Sequence, residues 1–120
     1  MTDVTIARIY EQPRVVDGFR VLVDRLWPRG VSKLAAQVDE WNKDLAPSTA
    51  LRNWWNHDPD LFDDFAVRYR AELDKCLEVA AAIDQLRTHH TVTLLYAARD
   101  PEINHAIILR DYVLRALAVE

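Results

Sequence analysis

Thr91-Val92-Thr93-Leu94-Leu95-Tyr96-Ala97-Ala98 is β-branched at its start, apolar throughout, and stopped by Arg99-Asp100-Pro101. Its β-branched start and the stop at Pro101 favour a strand over a helix, one covered on both faces. Upstream, Phe19-Arg20-Val21-Leu22-Val23-Asp24-Arg25-Leu26-Trp27 has the same character and also ends at a charged pair. Pro28-Arg29-Gly30 follows, through which neither a helix nor a central strand continues. Val4 to Tyr10, with turn chemistry at Pro13 and Asp17-Gly18 behind it, predicts another strand, and Val38 to Asn42 a short one ended by Pro47. Short apolar strands that feed helices are what a parallel sheet requires. The expected fold is α/β: a single-domain layered fold over residues 1–120, with a small, mainly parallel sheet flanked by helices.

Between the strands the pattern turns helical. Ser48 is placed to cap a short helix carrying Leu51, Trp54 and Trp55, and Asp58-Pro59 is a cap acid before a first-turn proline. From there Phe62, Phe65, Tyr69, Leu73, Cys76, Ala80 and Ile83 recur at helical spacing, with Asp63, Asp64, Lys75 and Glu78 opposite. One long helix, or two with a break, should reach about Arg87, with Cys76 in the core. Asp100-Pro101 repeats the cap, and a last helix from Pro101 to about Ala118 should bury Ile103, Ala106, Ile107, Leu109, Val113, Leu114 and Leu117. Arg110 falls within that stripe, so it must meet a carboxylate or reach out to water. Trp54 and Trp55 are adjacent and cannot both face one core.

Composition excludes several classes of function. With 50% hydrophobic and 28% charged residues the chain is not disordered. Fifteen basic against nineteen acidic residues, a net charge of −4, argue against general nucleic-acid or anionic-membrane binding. The single cysteine rules out an internal disulfide, Met1-Thr2-Asp3 is not a basic leader, and no run approaches the ~18 apolar residues of a membrane span, so a cytoplasmic protein is expected. Gly18 and Gly30 are the only glycines, too few for a dinucleotide fingerprint or a phosphate-cradling loop. No histidine, cysteine or carboxylate set has metal-ligand spacing, and neither metal nor cofactor is expected.

In parallel sheets the ligand crevice lies beyond the carboxyl ends of the strands. Two strands end there with paired charges: Asp24-Arg25, with Trp27 and Arg29 just after, and Arg99-Asp100. Arg25, Arg29 and Arg99 suit a phosphate or carboxylate, helped by free N–H groups of the following helix; Trp27 would wall the pocket and Asp100 would line it. The competing reading ties these arginines to Asp24 or Asp100 in structural pairs. Asn104 and His105 open the last helix, so His105 could move a proton, Asn104 orient an oxygen, and Asp24 orient an arginine or act as base. His57, beside a cap acid, reads as structural, and His89 and His90 as surface residues at a helix end.

Val21 to Gly30, Asp39-Glu40-Trp41, Ala46-Pro47-Ser48-Thr49, Leu94 to Asp100 and Asn104-His105-Ala106 together resemble the YeaO-like proteins, a branch of the domains of unknown function numbered 488. The resemblance spans nearly the whole chain and implies a compact α/β fold but no particular reaction. Wider relatives carry cysteine where this chain has Tyr96, and Cys-His-Arg where it has Asn104-His105-Ala106. Thiol or metal chemistry resting on those cysteines therefore does not carry over; only His105 does. The expected function is binding of a small anionic ligand, phosphorylated, nucleotide-like or carboxylate, with hydrolysis or group transfer as the reaction class. The rival is a non-catalytic adaptor that docks a protein through Trp54-Trp55 and the acidic helix face.

Overall fold

A computed structural model describes residues 1–119. Strands β1 (Asp3–Arg8), β2 (Phe19–Leu22), β3 (Glu40–Trp41) and β4 (Thr91–Tyr96) form one sheet in the order β1-β4-β2-β3, parallel at every pairing. The central strand of the three longer ones, β4, hydrogen-bonds on both edges, to β1 and to β2. Its lack of polar alternation follows from that position. The helices are α1 (Lys33–Ala36), α2 (Thr49–Trp55), α3 (Phe62–Lys75), α4 (Leu77–Leu86) and α5 (His105–Leu117).

Alternate residues of the strands serve different layers. Val21, Val23, Val92, Leu94 and Tyr96 join the main core with buried residues of α2 to α5, among them Trp55, Phe65, Tyr69, Ile83 and Leu109. On the opposite face Leu22 and Leu95 pack with Ile9 and Ala36 under Trp27 and Trp41, so that face is closed by one helical turn and loops. Arg20 is buried there and fully engaged: its guanidinium pairs with Asp17 and donates to the Ala36 and Gln37 carbonyls. A buried charge so satisfied ties β2 to the end of α1.

Several expectations shift in detail. The helical tract is two helices with a break, as one of its two expected forms had it: Cys76 is extended (φ −99°, ψ 112°) between α3 and α4, and is half-buried against the main core rather than within it. The break resets the helical phase, burying Val79 while Ala80 faces water. The last helix begins at His105, not Pro101, because Asp100 Oδ1 accepts from the N–H groups of Glu102 and Ile103 in a turn and Asn104 provides the cap. With that start Ile108 is buried and Leu114 is 39% exposed. Arg110 reaches outward, half-exposed, 3.8 Å from Asp111. Ser48 caps α2 as expected, Trp55 is buried, and Trp54 is 38% exposed beneath the Arg68 guanidinium. No described helix is long and apolar enough to cross a membrane.

Candidate functional site

The parallel register pairs Phe19 with Val92 and Leu22 with Leu95. Carried two residues further it sets Asp24 beside Ala97, and the Ala97 N–H donates to Asp24 Oδ2 at 3.0 Å. The carboxyl ends of β2 and β4 thus open into one cleft of about 580 Å³. Asp24, Arg25, Trp27 and Arg29 line it from the loop after β2, Arg99 and Asp100 from the loop after β4, and His105 from the first position of α5.

The arginines divide into two kinds. Arg25 is braced, donating through Nε to the Pro47 carbonyl at 3.0 Å and through Nη2 to the Ala46 carbonyl at 3.4 Å. Arg29 and Arg99 are exposed and make no side-chain hydrogen bond or ion pair among the described residues. Trp27 is fixed by donation to the Val31 carbonyl at 2.7 Å and by an edge contact with Trp41. The Trp41 indole in turn donates to the Asp24 carbonyl at 2.7 Å. Both indoles hold the Asp24–Val31 loop in shape around the cleft.

His105 and Asp24 are only 13% and 17% exposed in their side chains and sit side by side, Nε2 to Oδ1 3.2 Å. The ring nitrogen also lies 3.0 Å from the Val23 carbonyl. A carbonyl only accepts, so Nε2 carries the hydrogen. That hydrogen is directed to Val23, and Asp24 Oδ1 is buried with no hydrogen-bond donor. Contact between His105 and Asp24 is therefore one of proximity rather than aligned hydrogen bonding. Tyr69 lies edge-on to the imidazole and donates to the Leu45 carbonyl. Burial, and then the charges of Asp24 and Glu72, push its phenol well above the usual tyrosine range, so it stays neutral beside the site.

Asn104 does not line the cleft. Its side chain is fully buried, Oδ1 accepting from the Ile107 N–H at 3.0 Å and Nδ2 donating to the Asp100 carbonyl at 2.8 Å. Both polar atoms hold the start of α5, which sets where His105 points. Tyr96 is buried in the main core.

Three polar cleft residues escaped the sequence reading. Tyr10 follows β1 at the same sheet edge and donates to the Arg29 carbonyl at 3.2 Å; its place at a strand end was the available signal. Arg52 lies on α2, whose reading rested on apolar positions, and nothing in the sequence related it to the strand ends. His57, read as structural, lines the wall in the left-handed region (φ +56°), directly after Asn56 (φ +47°). Side-chain hydrogen bonds and ion pairs are also lacking for Arg52 among the described residues.

A family model described as "Inactive DUF488-N3 subclade" matches residues 3–120. The Mycobacterium tuberculosis protein Rv3073c is 44% identical over 108 residues, covering 90% of this chain and 91% of that protein. YeaO of Escherichia coli K12 is 38% identical over 110 residues, covering 92% and 95%. Both are described as uncharacterized. No solved structure matches.

Proposed function

We propose, for a chain that belongs to the Inactive DUF488-N3 subclade of the DUF488 family, that it binds a small anionic metabolite in the cleft beyond β2 and β4. One observation carries the proposal. In a protein of net charge −4, Arg29, Arg52 and Arg99 line one cleft without a side-chain partner among the described residues, and Arg25 stands beside them, braced by carbonyls. Guanidiniums left free around a concavity suit a phosphate or carboxylate, and the N-terminus of α5 at the same place adds to the field. Asp24 and His105 are the groups to which hydrolysis or group transfer would fall, but the description of the subclade as inactive favours binding without turnover. A cytoplasmic location fits a chain with one cysteine. The adaptor reading has weaker support, because Trp54, on which it would rest, lies under Arg68.

The test is thermal unfolding in a panel of phosphates, phosphomonoesters and di- and tricarboxylates. At least one class should raise Tm, and the Arg29→Ala, Arg99→Ala double variant should lose most of that rise, since only native-state binding stabilises. If no anion shifts Tm, the reading is wrong.

A further inference from the structure

A second, smaller cavity of about 130 Å³ opens off the cleft, sharing Arg52, His57 and His105 with it. Its chemistry differs from that of the main chamber. The cleft contains Asp24 and Asp100, whereas the side pocket has no carboxylate among its lining residues. Arg52, Asn53, Asn56 and His57 line it, and none of their side chains makes a hydrogen bond within the described protein. Its volume gives room for a tetrahedral oxyanion with water, and the main cleft is several times larger.

We propose that this side pocket is the head-group subsite of the ligand, and that the head group is the phosphate of a phosphomonoester whose body lies in the main cleft. The inference rests on the anion-binding reading above and goes further by naming the ligand class and the residues that select it. Arg52 offers a planar fork to two oxygens, and the Asn53 and Asn56 amides and the His57 ring supply further donors around it. Donors distributed in this way match three oxygens of a phosphate better than the flat pair of a carboxylate. The body of the ligand meets the apolar wall of Leu26, Trp27, Pro28 and Ile103.

Calorimetric titration of the full chain with ribose 5-phosphate, adenosine monophosphate and inorganic phosphate, and with ribose and adenosine as phosphate-free counterparts, tests the proposal. A phosphomonoester should bind at least about tenfold more tightly than its phosphate-free counterpart, and Arg52→Ala should remove about tenfold of that affinity. Preference between the first two compounds reports whether the body is a sugar or carries an aromatic ring. Asn53→Asp, which changes one exposed amide to a carboxylate and leaves packing alone, should weaken phosphate binding to a similar degree. It keeps the test open should Arg52→Ala fold poorly. Unaltered phosphomonoester affinity in Asn53→Asp, or binding of carboxylates alone, overturns the subsite and leaves the anion-binding reading standing. Absence of binding by any anion overturns both.

Discussion

The Nε2 nitrogen of His105 lies 3.2 Å from Asp24 Oδ1, yet its hydrogen is directed to the Val23 carbonyl 3.0 Å away. Two oxygens from consecutive residues thus lie close to one ring nitrogen, and only that of Val23 accepts from it. Long-range ¹H–¹⁵N correlation should show a proton on Nε2 of His105, and an Nδ1–H tautomer would contradict the geometry. Asp24→Asn would keep an oxygen for the Ala97 N–H but turn an NH₂ donor toward Nε2–H, two donors facing each other. The ring should move or change tautomer, at a cost of about 1–3 kcal/mol in urea unfolding.

Arg25 and Arg99 line one cleft but should respond differently to truncation. Arg25→Ala leaves the Pro47 and Ala46 carbonyls without a donor, and a loss of about 1–3 kcal/mol is expected. Arg99→Ala breaks no side-chain bond among the described residues and should change stability by no more than ~0.5 kcal/mol. Equal stability losses in the two variants would show that Arg25 is not a brace.

The two glycines separate conformational strain from steric exclusion. Both have positive φ, +66° at Gly18 and +74° at Gly30. A Cβ at Gly18 would stand 2.3 Å from the Thr91 carbonyl oxygen, whereas one at Gly30 meets nothing within 4 Å. Gly30→Ala should therefore cost only the left-handed penalty of about 1–2 kcal/mol. Gly18→Ala should cost clearly more, since backbone must move at the start of β4. Comparable denaturation midpoints for the two variants would refute this ordering.

Stability should also fall in strongly alkaline solution through Tyr112. Burial, and then its hydrogen bond to Asp74 (2.7 Å), push the phenol up to about 12 from 10.0. The folded state holds this proton more tightly than the unfolded chain, so the contribution is complete below pH 10.0 and is lost as pH rises toward about 12. Tyr112→Phe should lose less stability than the parent across that interval. Parallel curves for the two proteins would count against it.

Much of the architecture was legible because it depends on local pattern. The apolar runs at Phe19–Val23 and Thr91–Tyr96 behave as buried parallel strands because their own composition leaves no solvent face. Ser48 reads as a cap because a hydroxyl one residue before a helix reaches the free N–H of its first turn. The tract after Pro59 takes the second of its two expected forms, two helices with a break, but angular counting carried one phase across Cys76, and a single extended residue changes the phase of everything after it. Asp100 misled the reading in another way: an aspartate before proline serves a turn as well as a helix, and Asn104 supplied the same chemistry four residues later.

The sequence by itself determined the parallel α/β sheet and the paired charges at two strand ends, because periodicity and strand-ending residues act over a few positions. Tertiary structure alone decided that β2 and β4 are neighbours, that Arg25 is held by carbonyls while Arg29 and Arg99 are free, and that Arg52 and His57 join them. Strand order and loop packing bring together residues tens of positions apart, and no local preference of the chain encodes which of them will meet.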